Sequence, residues 1–289
     1  MKRQALFLGC VIPLRFPGIE VAARRVLREL AVDCVDLEGY TCCPEPVVLG
    51  LADDALTTTL SARNLGLAEQ AGADLLAMCN GCYERLAETD ADLRHNPALR
   101  AQTNDFLASA GTRYDSGIAI RHFIEFLHDE VGLARIRAAV KRPVEVAVAL
   151  HYGCHLMREP GGGDPFRKPR MMRALVEAVG ARVVEYGLER LCCGFPIAQF
   201  DKPASLEERL LPKLAAISRT AAEALLFCCP ACLTQFETGQ ATAGERTPGP
   251  YPCLHLLELL ALALGAAPAE LSFDTRGPLA KEFAECFWE

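Results

Sequence analysis

The sequence predicts an α/β protein of two duplicated Rossmann-like domains, each with a small parallel sheet and cysteine-bearing loops at the strand ends. Two observations carry that expectation. The cysteines recur in one pattern in both halves, and short apolar runs alternate with helical stretches in the same order around them.

In the first half Cys10 is followed, after 31 residues, by Cys42-Cys43 and, after 35 more, by Cys79-x-x-Cys82. In the second half Cys154 is followed, after 37 residues, by Cys192-Cys193 and, after 35 more, by Cys229-x-x-Cys232. From the pairs onward the offset is 150; before them it is 144, and the six extra residues fit the loop "EPGGGDP" (159–165). "RHFIEFL" (121–127) and "LHLLELL" (254–260) share His-x-x-Glu-x-Leu, aligning His122 with His255. The expected domains are residues 1–140 and 141–289.

Element by element, "ALFLGC" and "VEVAVALHYGC" are apolar runs that end at the first cysteine of each set. "PGIEVAARRVLRELA" (17–31) and "RKPRMMRALVEAVG" (167–180) have helical period and charge, the second ending at a glycine. "VDCVDLE" and "ARVVEY" read as strands leading to the cysteine pairs. Helices follow around 54–71 and 205–222, and then the strands "ADLLAMC" and "AEALLFC". In parallel sheets the loops at the carboxyl ends of strands form the binding edge, so five thiols per half should converge there. Adjacent cysteines make poor disulfides, since consecutive Cα atoms lie closer than the usual disulfide separation.

Composition bounds the rest. Of 289 residues 51% are hydrophobic and 23% charged, enough for a substantial core and unlike a disordered chain. A net charge of −7 and the lack of a basic cluster argue against a nucleic-acid surface. "LHLLELLALALGAA" (254–267) is too short to span a bilayer and reads as a buried helix. The start, "MKRQALFLGCVIP", has too short an apolar run before Cys10 for a signal peptide. A cytoplasmic protein with 14 cysteines is expected, and that points to metal or redox use of thiols over disulfides.

Zinc normally takes four ligands, so five cysteines per site is one too many unless one is idle. The cubane run Cys-x₂-Cys-x₂-Cys-x₃-Cys-Pro is absent. An iron–sulfur centre of unusual nuclearity suits five thiolates best, with zinc and plain core cysteine as the alternatives. Cys34, Cys228, Cys253 and Cys286 lie outside the pattern and are expected as small buried hydrophobes, with Cys228 pointing away from Cys229.

The motifs "FLGC", "PGIE" (17–20), "EGYTCCPEP" (38–46), "CNGCY" (79–83), "RHF" (121–123), "HYGCH" (151–155), "CCG" (192–194) and "CPACLTQFE" (229–237) carry a resemblance. Over nearly its whole length the chain resembles the B subunit of heterodisulfide reductase, a family with a duplicated cysteine-rich CCG domain. The resemblance implies two noncubane [4Fe-4S] clusters. Cys10, Cys42, Cys43, Cys79 and Cys82 would hold one, and Cys154, Cys192, Cys193, Cys229 and Cys232 the other. It also implies a catalytic subunit that cleaves or forms a disulfide in one-electron steps. The family's substrate in methanogens is the coenzyme M–coenzyme B heterodisulfide, and related complexes act on sulfur carriers such as lipoamide. "CCGFPIAQFD" is less glycine-rich after the pair than the family pattern, which bears on the substrate pocket.

Cleavage needs protons. His155, beside Cys154, is the candidate donor, with His151 behind it; His122 and His255, in apolar helical surroundings, are expected to be structural. No Gly-x-Gly-x-x-Gly follows a strand, and "PGGGDP" reads as a turn, so no flavin or nicotinamide site is expected in this chain. Electrons would come through an iron–sulfur relay subunit and a flavin subunit, as the resemblance implies. A different reading is a non-catalytic electron-transfer subunit of a lactate-, glycolate- or quinone-linked oxidoreductase. A third is a zinc-bound structural protein.

Overall fold

In the computed structural model, which describes residues 2–44, 53–158 and 162–288, the first half runs β1 (Gln4–Phe7), α1 (Val11–Arg15), α2 (Pro17–Glu29), β2 (Cys34–Asp36), α3 (Asp54–Gln70), β3 (Asp74–Ala77) and α4 (Asn80–His95). It continues through α5 (Pro97–Ala108), β4 (Ile120–His122), α6 (Phe123–Glu125), a wide π turn at Phe126–Gly132 and α7 (Leu133–Ala139). The second half begins with β5 (Ala147–His151), α8 (Arg167–Ala178), β6 (Arg182–Val184), α9 (Lys202–Ser205), α10 (Leu211–Ile217) and β7 (Ala224–Phe227). It ends with α11 (Pro230–Ala243), β8 (Cys253–His255), α12 (Leu256–Ala263) and α13 (Pro278–Trp288).

Each half holds one four-stranded parallel sheet, in the orders β2-β1-β3-β4 and β6-β5-β7-β8. Registers match across the repeat. Ala5 lies between Val35 and Leu75, and its counterpart Ala149 between Val184 and Leu225. Every residue of the central strands β1, β3, β5 and β7 is buried, which explains their continuous apolar runs. Helix α2 buries Ile19, Ala22, Ala23, Val26 and Leu27, one stripe at helical spacing.

The fourth strand of each sheet is a departure from the sequence reading. The stretch 254–267, expected as one buried helix, starts as β8, and helix begins only at Leu256. Both β4 and β8 are three residues long and run straight into a helix, too short to show a period of two. The helix expected over 205–222 starts at Lys202, widens into a π turn at Leu206–Leu210 and ends at Ile217. Pro212, which has no N–H to return to the turn before it, follows the widened segment. The turn expected in "PGGGDP" lies partly outside the described residues.

The halves exchange the helices that follow their fourth strands. After β8, α12 packs on α2 of the first half; after β4, α6 and α7 pack on α8 of the second. Arg25 pairs with Glu270 at 3.1 Å and Lys141 with Glu29 at 2.6 Å across the first of these contacts. Among the described residues no helix is long and apolar enough to cross a membrane.

Candidate metal centre

In a 2-1-3-4 parallel order the connections leave β1 in one direction and β3 in the other, which opens a crevice at the carboxyl ends of that central pair. Cys10 follows β1, and Cys79 and Cys82 follow β3; Cys154, Cys229 and Cys232 repeat this around β5 and β7. Cys79 and Cys229 are the N-caps of α4 and α11, so the thiols of both Cys-x-x-Cys motifs sit at the positive end of a helix. The shared Gly-Cys dipeptide has a steric cause. Gly9 and Gly153 adopt positive φ, +68° and +77°, and a Cβ there would stand 2.8 Å from Cys82 Sγ and 3.3 Å from Cys232 Sγ.

The ten pattern cysteines form one continuous run of sulfur contacts. Cys10 meets Cys42 at 3.9 Å, Cys42 meets Cys43, Cys43 meets Cys82 at 3.1 Å, and Cys82 meets Cys79. The second half repeats the order as Cys154, Cys192, Cys193, Cys232 and Cys229. The two runs join at Cys79 and Cys229, whose sulfurs lie 3.9 Å apart. Nine of the ten line one apolar pocket, and Cys192 sits behind it against Cys154 and Cys193.

Hydrogen bonds along this run divide the thiols into two kinds. Contacts with Cys42 and Cys82 hold Cys43 below the ordinary thiol range, and contacts with Cys154 and Cys193 do the same for Cys192. Cys10, Cys154 and Cys193 are pushed up by the thiols they face and by burial. Adjacent thiolates repel, so the array cannot ionise throughout without positive charge among the sulfurs. The donor set fits iron–sulfur chemistry or zinc: all soft sulfur, and more of it than one tetrahedral ion can use.

His155 lines the same pocket. Its Nδ1 meets Glu84, a fully buried carboxylate on α4 of the other half, and Arg158 Nη1 donates to the second oxygen of Glu84 at 2.6 Å. Burial works against charge on His155, but the Glu84 hydrogen bond and charge outweigh it and raise the imidazole above its ordinary range. The positions matching His155 and Glu84 in the repeat are Val11 and Thr234, so only one side of the pocket carries this pair.

Three other histidines, His122, His151 and His255, are buried. His122 and His255 each end a strand and cap a helix, their Nδ1 accepting the N–H of Ile124 and of Leu257 at 3.3 Å. Burial lowers both, His255 to about 3. His151 lies behind the second cysteine set, packed on Phe227 and Phe236, and burial also lowers it to about 3.

Of the four cysteines outside the pattern, Cys228 and Cys253 are buried, and Cys228 Sγ donates to Tyr152 O at 3.3 Å, away from the array. Cys34 is half-buried because it lies on an edge strand, and Cys286 is exposed on α13, contrary to the expectation of burial. Two supports had no sequence signal. Asn64 on α3 accepts from the N–H of Thr41 at 2.8 Å and donates to the carbonyls of Thr41 and Cys42. Asn80 Nδ2 donates to Tyr152 O at 2.8 Å, tying α4 to the loop of Cys154. Glu84 was also missed; it reads as an ordinary solvated helix charge, and only the exchange of contacts between halves buries it.

Comparison with known proteins finds the same duplication. The family model for the cysteine-rich domain CCG matches twice, over residues 4–87 and 148–237. The B subunit of a ferredoxin/F(420)H(2)-dependent CoB-CoM heterodisulfide reductase from Methanosarcina acetivorans is 38% identical, with 100% of this chain and 98% of that protein covered. An Archaeoglobus profundus protein, named as like the heterodisulfide reductase B subunit, is 30% identical, covering 94% of both. The 8-methylmenaquinol:fumarate reductase membrane anchor subunit of Wolinella succinogenes is 29% identical over 94% of this chain and 96% of its own. A solved structure, that of a hypothetical protein from Helicobacter pylori, superposes with a TM-score of 0.72 over 95% of this chain at 17% identity; this chain spans about half of that one, 51%. With two cysteine-rich domains and full-length relatives so named, the chain belongs to the family of heterodisulfide reductase B subunits.

Proposed function

We propose that the chain is the iron–sulfur subunit of a heterodisulfide reductase-like complex, and that it cleaves or forms a disulfide at the pocket between its halves. The observation that carries the reading is the single run of ten thiols, nine of them lining one apolar pocket with His155 at its edge. Cys10, Cys42, Cys43, Cys79 and Cys82 would hold one noncubane [4Fe-4S] cluster, and Cys154, Cys192, Cys193, Cys229 and Cys232 the other. When bound, such clusters supply electrons one at a time and soft iron for sulfur.

The protein's own part is positioning and proton delivery. Reduction of a disulfide consumes two electrons and two protons and releases two thiols. With Nδ1 engaged by Glu84, Nε2 is the nitrogen His155 can turn to a leaving sulfur, and Glu84 keeps the ring charged until the proton is passed. The walls of the pocket are apolar, and it opens to solvent on the side of Cys10 and Cys42. Leu14, Leu191 and Phe200, exposed at 86%, 46% and 77%, flank the cysteine loops and suit a lasting contact with an iron–sulfur relay subunit, itself served by a flavin subunit.

The Wolinella relative supports a second reading, electron transfer in a quinone-linked complex without disulfide chemistry. Iron, acid-labile sulfide and zinc per chain, measured on protein purified without oxygen, test the first step. About eight iron with matching sulfide supports two four-iron clusters; one or two zinc without sulfide overturns the redox role. Turnover of a coenzyme M–coenzyme B or lipoyl-type disulfide with reduced dye then separates catalysis from relay: an iron-loaded chain that cleaves neither is a relay.

A further inference from the structure

The two cysteine sets share a backbone, yet their surroundings differ at three matched positions. His151 stands at the end of β5 where Phe7 stands at the end of β1. Its ring is buried, neither ring nitrogen meets a hydrogen-bond partner among the described residues, and its ligating nitrogen and the sulfurs of Cys193 and Cys232 lie within 4.8 Å of one another. Phe7 offers no polar atom and packs on Tyr40.

After the cysteine pair, the N–H groups of Gly194 and Phe195 donate to Cys192 Sγ and Cys193 Sγ, both at 3.4 Å. The residue matching Gly194 is Pro44, which has no N–H. Gly194 itself is required there: its φ is +96°, and a Cβ would meet Ser205 Oγ at 2.6 Å. Third, Lys213 is buried, and its Nζ donates to Leu188 O at 2.5 Å, in the loop that leads to Cys192 and Cys193. Its counterpart Arg63 is half-exposed and donates to Gly39 O at 2.8 Å.

We propose that His151 is a positioning residue that donates an N–H to a sulfur of the second centre, and that with Gly194 and Lys213 it holds that centre at a higher reduction potential than the first. The inference rests on the iron–sulfur reading above. A reduced centre carries one more negative charge, and N–H donors or a buried cation aimed at its sulfurs stabilise that charge. All three differences act in the same direction. Solvent at the exposed Cys10 and Cys42 opposes them, but fixed donors need no reorganisation, whereas water must reorient around the added charge. The consequence is directional. The first electron rests in the half that carries His155, so charge and proton gather on one side of the pocket.

The test is a redox titration of the full chain, purified without oxygen and followed by absorbance and electron paramagnetic resonance. Cys193→Ser should remove the higher-potential wave and leave the lower; removal of the lower wave overturns the ordering. His151→Phe should lower the upper wave towards the other at unchanged iron content, and His151→Gln, which keeps an N–H donor, should restore most of the shift. An iron-loaded His151→Phe chain with both waves unmoved overturns the role of His151. Should that variant not hold iron, Pro44→Gly decides: it restores an N–H to the first set and should raise the lower wave, and no movement overturns the donor argument. Wild-type protein without labile sulfide would sink the iron–sulfur reading itself, a failure distinct from loaded centres in the reverse order.

Discussion

Cys79 Sγ and Cys229 Sγ, equivalent atoms 150 residues apart in sequence, meet at 3.9 Å where the two halves join. The contact places the pseudo-twofold axis of the duplication through the thiol pocket. On either side of it the sulfurs follow the same order, so each half presents a complete five-cysteine set and the two sets share one border.

Loss of one set should therefore spare the other. Cys193→Ser should halve the iron content and leave the signal of the first set, and Cys43→Ser should do the reverse. Cys79 and Cys229 are the exceptions, because each touches both sets; Cys79→Ser should disturb both signals. Iron analysis with electron paramagnetic resonance checks all three. Unchanged spectra in Cys193→Ser would mean that the second set is not a ligand set.

The array was legible in the sequence because metal-type chemistry writes itself in residue identity and spacing. The offset of 150 survived in the thiol contacts, and the central strands announced themselves as unbroken apolar runs. What was not legible depends on contacts between the halves. Glu84 lies in "CYERL", where a glutamate on a helix reads as solvated, and it is buried only because His155 and Arg158 arrive from 71 and 74 residues away. Strands β4 and β8 hid for a local reason: each is three residues long, and the histidine that ends it also caps the next helix.

The two Gly-Cys turns should respond to substitution one half at a time. Gly9→Ala forces a Cβ against Cys82 Sγ in a backbone conformation with positive φ, and Gly153→Ala does the same against Cys232 Sγ and Asn80 Nδ2. The backbone cost alone is about 1 kcal/mol or more. Each variant should lose iron chiefly from its own set, measured as iron per chain and as the surviving spectral signal. Equal loss from both sets would count against the local steric argument.

Arg276 supplies a pH-dependent test of the exchanged helix. It is buried, donates to Cys253 O at 2.8 Å, and pairs with Glu237 and with fully buried Glu258, the residue that caps α12 with His255. Burial raises Glu258 above the ordinary carboxylate range even with this partner. Arg276→Ala would leave a buried carboxylate unpaired and should cost about 3–5 kcal/mol near neutral pH. A carboxyl raised in the folded state binds more protons folded than unfolded, so its penalty appears as pH rises past the unfolded value, about 4.3. The stability deficit of Arg276→Ala should accordingly shrink as pH falls towards that value. Thermal unfolding of both proteins from pH 7 to 4.5 measures it, and a deficit independent of pH would show that Glu258 is not the group left exposed to the loss.

The final test concerns His155 and Glu84, the pair that breaks the symmetry of the pocket. If His155 passes a proton to a leaving sulfur, His155→Gln keeps size and hydrogen bonding but cannot donate as an acid. Disulfide turnover should fall by about 10²-fold or more, the usual worth of a general acid, while iron content and the clusters' spectra stay as in the parent. Glu84→Gln acts differently. It retains a partner for Nδ1 but removes the charge that keeps the imidazole protonated, so turnover should fall less at low pH than at high pH. Because Glu84 is also the partner of Arg158, unfolding midpoints of the variant must be compared with the parent before rates are read. A purely structural pair would give equal losses at all pH values in Glu84→Gln and would leave the rate of His155→Gln close to that of the parent once iron is matched. A proton-delivering pair gives a flat loss for His155→Gln and a loss that steepens with pH for Glu84→Gln, and that split in pH profile is the signature expected here.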